Sequence, residues 1–204
     1  MVPVYPGPVD LTAALLTGLG LAAAAGLNAY IPLLIVAVLG YTGTITLTEP
    51  FTGLDDPWVI GVLAVLLGVE VLADKIPAVD SLNDIIGTVV RPAAGAVLFA
   101  ASTGVVGDFP PAVSLILGLI TAGTVHGAKA AFRPMANVST GGTAAPVVSV
   151  TEDVASVGLS LIAIFIPALV IVALLLFAWA VWRWRRRRRS RRSDPAVASP
   201  DAGT

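Results

Sequence analysis

The sequence has no cysteine, a single histidine and few charged residues, and each scarcity removes a class of function. Without cysteine there is no disulfide and no thiolate chemistry. A single histidine, His126, argues against a dedicated zinc or iron site. Charged residues make up 12% of the 204 residues, about half their share in a soluble domain. The composition therefore predicts a membrane protein with no metal site and no cofactor.

The few charges are unevenly distributed along the chain. Eight of the twelve bases are arginines between 183 and 192, whereas residues 1–182 carry four bases and eleven acids. The arginines run into "SDPAVASPDAGT", so residues 184–204 are expected to form an Arg-rich, disordered tail. The N-terminal segment 1–10 lacks the basic region of a secretory signal, so no cleaved peptide is expected.

Six apolar segments lie between these ends, at 11–27, 31–47, 58–76, 92–107, 110–132 and 154–183. A helix needs roughly 20 residues to cross the hydrocarbon core, and several of these segments are shorter. The sequence predicts an all-α membrane protein over 11–183: a compact bundle of about six transmembrane or half-spanning helices. Pro167 is expected to kink the last helix without ending it, because neighbouring helices can satisfy the freed carbonyl.

The arginine run also predicts orientation and a lipid partner. Trp182 and Trp184 suit the membrane interface, and the arginines favour the cytoplasmic side. With six crossings both termini of this multi-pass protein of the cell (inner or plasma) membrane would be cytoplasmic. The connections at 27–32, 73–92 and 127–153 would then share the outer end. The arginines suit anionic lipid headgroups, whereas nucleic-acid binding is not expected because no aromatic residues interleave with them.

Those three connections share a proline-marked pattern. "NAYIP" ends at Pro32, "ADKIP" at Pro77 and "AFRP" at Pro134. Proline and glycine break helices at membrane depth only where protein or water covers the freed backbone. We interpret the pattern as three helix–break–helix hairpins, and common descent from one repeated unit stays open.

The bases outside the tail all fall in the two longer breaks, among acids, amides and one histidine. Ionisable groups within a membrane normally face the bundle interior and pair, or mark a functional site. "STGGT" at 139–143 adds the small and hydroxyl residues of an anion-binding nest. The candidate ligand-binding or ion-pair residues are Asn28, Tyr30, Glu70, Asp74, Lys75, Asp80, Asn83, Asp84, Arg91, His126, Lys129, Arg133, Asn137, Thr140, Gly141, Gly142, Thr143, Glu152 and Asp153. No catalytic set is predicted, because no Ser-centred Gly-x-Ser-x-Gly elbow occurs.

At these residues the chain resembles a family of small bacterial integral membrane proteins known as domain of unknown function 4126. The resemblance rests on "GLNAYIPLL", "ADKIPAVDSLNDIIGTVVRPAAGA" and "HGAKAAFRPMANVSTGGTAAPVVSVTED", which together span most of 20–180. It implies a membrane protein with polar helix breaks, and it implies no activity, ligand or catalytic residue.

Three hypotheses for function remain open. The first is a small transporter whose charged site lies at the helix breaks and binds an unknown small-molecule or lipid substrate. The second is a membrane scaffold or accessory subunit whose charges form a structural ion-pair network. The third is an intramembrane enzyme acting on a lipid headgroup, although the absence of a catalytic set favours a protein that is not an enzyme. Small-residue runs such as "GLGLAAAAG" could pack helices within one chain or between the protomers of a homo-oligomer.

Overall fold

The computed structural model describes residues 10–73, 77–104, 109–140 and 145–192, and describes side chains over 10–73, 85–104, 109–132 and 146–183. Within these residues the chain forms seven α-helices, a short 3-10 helix at Thr52–Asp55, and no strand. The α-helices are α1 Leu11–Leu27, α2 Tyr30–Tyr41, α3 Pro57–Ala73, α4 Pro77–Gly104, α5 Pro111–Thr140, α6 Ala145–Phe165 and α7 Ala168–Arg192. The predicted all-α bundle is therefore confirmed.

Local chemistry sets where several helices begin. The Asp10 side chain accepts a hydrogen bond from the Thr12 N–H at 3.2 Å and so caps α1, which occupies the predicted range 11–27. Proline is the first residue of α3, α4 and α5. At that position its missing N–H has no helical partner to lose, and its fixed φ already suits the helix.

The central helix of the first compact unit, residues 1–170, is α1, which packs against α4, α5 and α6. Every residue from Gly20 to Gly26 is buried, and all but Leu21 are glycine or alanine. A Cβ on Gly26 would lie 2.6 Å from the Ala122 carbonyl oxygen of α5. The small residues therefore allow the helix backbones to approach closely, as in many membrane bundles.

Antiparallel packing of α4 and α5 brings the start of α4 to the end of α5. Arg91, in the first half of the apolar stretch Ile85–Gly104 of α4, contacts His126 in the second half of α5. Thr103, at the other end of α4, lies 2.7 Å from Ser114 near the start of α5, hydroxyl to hydroxyl. We call the end of the bundle that holds Arg91 and His126 the polar end.

Other helix ends meet at the polar end. Glu70, close to the end of α3, contacts Arg91. Asn28, which follows α1, contacts Asp153 near the start of α6. The contact of Asn28 with Asp153, together with that of Thr17 Oγ1 with the Ala163 carbonyl oxygen at 2.9 Å, shows that α1 and α6 are also antiparallel.

Three helices have the length and apolar composition needed to cross a membrane: Ile85–Gly104 of α4, Pro111–Phe132 of α5 and Pro146–Phe165 of α6. Shorter apolar helices accompany them over Leu11–Leu27, Tyr30–Tyr41, Pro57–Ala73 and Ala168–Arg183. Large apolar side chains are exposed on α3, with Trp58, Val65 and Leu72 all at least 65% exposed. Contiguous exposed apolar surface of this kind suits lipid, and together these features indicate a membrane protein.

The prediction for Pro167 was wrong. The structure ends α6 at Phe165 and starts α7 at Ala168, instead of one kinked helix over 154–183. Proline has no N–H to continue the helical ladder, and its ring clashes with the preceding turn. The chain restarts with a hydrogen bond from the Val170 N–H to the Pro167 carbonyl at 2.9 Å.

The predicted extent of the two longer breaks was also wrong. Between Pro77 and Pro92 the chain is helical, because α4 starts at Pro77 and continues through Pro92. Likewise α5 continues through Pro134 to Thr140. Gly123 of α5 faces the Pro92 ring, and a Cβ there would lie at the ordinary van der Waals distance of 3.8 Å from its Cγ. The breaks themselves, 74–76 and 141–144, lie outside the described residues.

The second compact unit comprises residues 171–204 and contains most of α7. The Arg183 guanidinium lies over the Trp179 ring, 5.3 Å from its centroid, which is a cation–π distance. The helix continues to Arg192, nine residues into the segment predicted to be disordered.

Candidate functional site

Polar side chains from five elements meet at the polar end, most of them buried or half-buried and one of them, that of Thr88, exposed. Four helices, α3 to α6, and the α1–α2 corner each contribute at least one of them. Such groups are costly to bury in an apolar bundle unless they are paired, so their positions are informative. We call this set the polar cluster: Asn28, Glu70, Thr88, Arg91, His126, Lys129, Glu152 and Asp153.

Arg91 is the centre of one half of the cluster. It is 1% exposed, although it carries the largest polar side chain among the buried residues. Its Nη2 donates to Glu70 Oε1 at 3.0 Å, and its Nη1 lies 3.0 Å from His126 Nδ1. The guanidinium therefore connects an anion on α3 with the imidazole on α5.

The contact with Arg91 fixes the tautomer of His126. A guanidinium has only donors, so His126 Nδ1 accepts the hydrogen bond and carries no proton. The ring proton is then on Nε2, which lies 3.3 Å from Thr88 Oγ1. His126 is thus a neutral ring in this arrangement, and a proton added at Nδ1 would place two donors face to face.

The α1–α2 corner forms the other half of the cluster. Asn28 Oδ1 accepts hydrogen bonds from the backbone N–H groups of Tyr30 at 3.0 Å and Ile31 at 3.2 Å, so it caps α2. Its Nδ2 donates to Asp153 Oδ1 on α6 at 2.9 Å. One amide thus caps the second helix of a broken pair and ties it to α6.

Lys129 binds the same corner from α5. Its Nζ donates to the Leu27 carbonyl oxygen at 2.9 Å and lies 2.8 Å from Glu152 Oε2. The Lys129 side chain is 4% exposed and that of Glu152 is 14% exposed. Because Leu27 is the last residue of α1, the ammonium lies at the negative end of the helix dipole.

We expect Asn28→Asp to lower the free energy of unfolding, although aspartate retains the oxygen that caps α2. The substitution removes the donor to Asp153 and places a second carboxylate beside it, which is unfavourable when both are ionised. A loss of about 2 kcal/mol or more is expected, comparable to a lost buried hydrogen bond. Unfolding midpoints in detergent, with Asn28→Ala as the matched control, check this. Asp should be the worse of the two, and the opposite order would contradict the described contact.

The structure places the remaining predicted residues in two groups. Tyr30 begins α2, and its side chain lies within electrostatic range of Glu70 and Arg91. Asp80, Asn83, Asp84, Arg133, Asn137 and Thr140 lie on α4 and α5, but their side chains are outside the described part. Asp74, Lys75, Gly141, Gly142 and Thr143 lie outside the described residues altogether.

Two members of the site were missed from the sequence. Thr88 follows Asp80 and Asp84 at a helical spacing of four, and that stripe on α4 could have revealed it. No sequence pattern marks the Leu27 carbonyl, because every residue at the end of a helix offers a backbone carbonyl. Buried Ser156 donates to the Ala24 carbonyl at 3.1 Å and so ties α6 to the last turn of α1.

Carboxylates, an imidazole, a guanidinium and an ammonium can together bind an ion or exchange protons. Among the described residues no group of three or more His, Asp or Glu could hold a metal ion. The described side chains at the polar end are joined by charge pairing and hydrogen bonding.

Comparisons with known proteins identify a family without an activity. Neither a curated protein nor a solved structure matches the chain significantly. One family model, described as a domain of unknown function, DUF4126, matches residues 15–187, which includes every described residue of the polar cluster. The chain belongs to this family of unknown function.

Proposed function

We propose that the protein is a small membrane transporter whose site is the polar cluster. The observation that supports this most directly is the chain Glu70–Arg91–His126, which is buried among apolar helices. Apolar packing could stabilise a bundle with less desolvation than a buried ion pair requires. Ionisable groups inside membrane helices commonly mark substrate or proton pathways.

The broken pair α1–α2 is the second support. Helix α1 ends just before Asn28, and α2 begins just after it. The terminal backbone groups of both helices bind members of the cluster: the Tyr30 N–H donates to Asn28, and the Leu27 carbonyl accepts from Lys129. Transporters often build substrate sites from such discontinuous helices. With bases and acids both present, the substrate would be zwitterionic or anionic, or its movement would be coupled to protons through Glu70 and His126.

The orientation and lipid contacts belong to the same proposal. The arginines of α7 would lie in the cytoplasm of the cell membrane, at the anionic headgroups, with both termini on that side. Backbone helix persists to Arg192. The exposed apolar surface of α3 would allow homo-oligomers to form.

A scaffold is the second candidate, and the pairing itself favours it. Arg91 pairs with Glu70, and Lys129 pairs with Glu152, so each described pair joins one base to one acid. Such pairs would lock the helices in place without any moving ligand.

Flux through liposomes should distinguish transport from scaffolding. The probes are internal pyranine, which reports proton movement, and radiolabelled zwitterionic amino acids and dicarboxylates. We expect wild type to transport at least one probe. The flux with the double variant Glu70→Leu/Arg91→Leu should equal that of protein-free vesicles. The double variant removes the charges together, so it should remain folded.

Thr103→Val is the matched control, since it removes a buried hydroxyl at the end of α4 away from the cluster. It should retain wild-type flux. A folded double variant with wild-type flux, or a wild-type protein without flux for any probe, would overturn the transporter proposal in favour of the scaffold.

A further inference from the structure

The oxygen atoms around Lys129 Nζ form a site of their own within the polar cluster. A helix-terminal carbonyl, Leu27 O, lies 2.9 Å from the ammonium, and a carboxylate oxygen of Glu152 lies 2.8 Å away. Both distances are those of strong charge-assisted hydrogen bonds. Neutral and anionic oxygen at the negative end of a helix dipole is the environment that a monovalent cation prefers.

The Leu27 carbonyl is held in place by contacts that do not involve Lys129. The last turn of α1 is fixed at the Ala24 carbonyl, which accepts from the Asn28 N–H at 3.1 Å and from Ser156 Oγ at 3.1 Å. Asn28 is itself held by Asp153 and by the start of α2. The carbonyl of Leu27 would therefore keep its position if the lysine side chain were shortened.

We propose that the α1–α2 corner is a monovalent-cation site whose built-in occupant is the ammonium group of Lys129. In discontinuous-helix transporters, carbonyls at half-helix ends bind the coupling Na⁺. Here a covalently attached cation takes that position. This consequence rests on the proposed transport function: flux through the protein should not require Na⁺ or K⁺.

Chemical rescue tests the site by stability, independently of transport. Lys129→Ala is purified in ammonium chloride and then exchanged into tetramethylammonium, methylammonium, sodium or potassium chloride at equal ionic strength. In tetramethylammonium, which has no N–H to donate to these oxygens, its Tm should lie about 6–20 °C below that of wild type. Ammonium or methylammonium should restore at least half of that difference in a saturable manner, as expected for site binding.

Two controls define the result. Wild type should respond to none of these cations, since its own ammonium fills the site. Lys129→Ala/Glu152→Gln should not be rescued, because the anionic oxygen is gone. Equal Tm values for Lys129→Ala in the ammonium, methylammonium, tetramethylammonium, sodium and potassium salts would overturn the proposal. Equal rescue of the double variant would do so as well.

A second variant covers the case in which Lys129→Ala does not fold. The chain has no cysteine, so Lys129→Cys introduces its only thiol. Reaction with 2-bromoethylamine forms a C–S bond, releases bromide and restores an ammonium at nearly the lysine position. Iodoacetamide gives a neutral adduct of similar length. Stabilisation by the first reagent and not the second supports the site, and equal effects of the two reagents overturn it. If ammonium rescues Lys129→Ala but wild type shows no flux, the transport proposal is rejected and the cation site is retained.

Discussion

Replacing Arg91 by leucine while Glu70 remains should lower the free energy of unfolding by about 3–5 kcal/mol. The loss arises mainly because Glu70, 5% exposed, would keep a buried charge without its guanidinium partner at 3.0 Å. Glu70→Leu should cost a similar amount for the converse reason, because the buried Arg91 would then lose the carboxylate that it contacts at 3.0 Å. Equilibrium unfolding in mixed micelles of mild and denaturing detergent measures both changes.

The double variant Glu70→Leu/Arg91→Leu distinguishes this explanation from a simple loss of packing. If the two losses were independent they would add to about 6–10 kcal/mol. We expect instead a loss of about 1–3 kcal/mol, because both charges of the pair are removed together while the acceptor His126 Nδ1 loses its described donor. Single variants within 1 kcal/mol of wild type would show that the pair contributes little to the fold. Additive losses in the double variant would show that lost packing, and not the charge pairing, explains the single variants.

The sequence predicted the helices best where an apolar run ends at residues with one clear local preference. For α1 the predicted range 11–27 matches, because Asp10 caps its start and Asn28 follows its end. Prolines were harder to interpret, since local chemistry disfavours them inside any helix. Pro167 does end a helix, whereas Pro92 lies inside α4, where it faces Gly123 of α5. Which residue faces Pro92 depends on how α5 packs, which no pattern local to α4 contains.

The candidate site was predictable in location but only partly in its contacts. Alternating helix direction brings Asn28, Glu70, Arg91 and Lys129 to one end, and counting the apolar segments was enough to predict that. Which base meets which acid depends on the rotation of each helix about its axis. Glu70 meets Arg91 on a different helix, and Lys129 binds a backbone carbonyl that no residue type indicates.

The second large effect is expected at Gly118, where α4 and α5 are closest. A Cβ on Gly118 would lie 2.7 Å from both Ala96 Cα and Phe99 Cβ, and would also meet the Gly95 carbonyl oxygen. Two of these three atoms belong to the backbone, so no change of side-chain rotamer can relieve the contact. Gly118→Ala should therefore lower the free energy of unfolding by about 1–3 kcal/mol, and Gly118→Leu should prevent folding altogether.

Gly127, nine residues further along α5, provides a control with the identical chemical change. Nothing lies within 4 Å of a Cβ built on it, so Gly127→Ala should raise the free energy of unfolding by up to about 1 kcal/mol through helix propensity. Unfolding midpoints of the two alanine variants should thus shift in opposite directions, and shifts of the same sign would contradict the described packing. Because Arg91 and His126 lie on the same seam between α4 and α5, a bundle forced apart at Gly118 should also separate them. The small residues of the seam thus determine the geometry of the polar cluster as well as the stability of the fold.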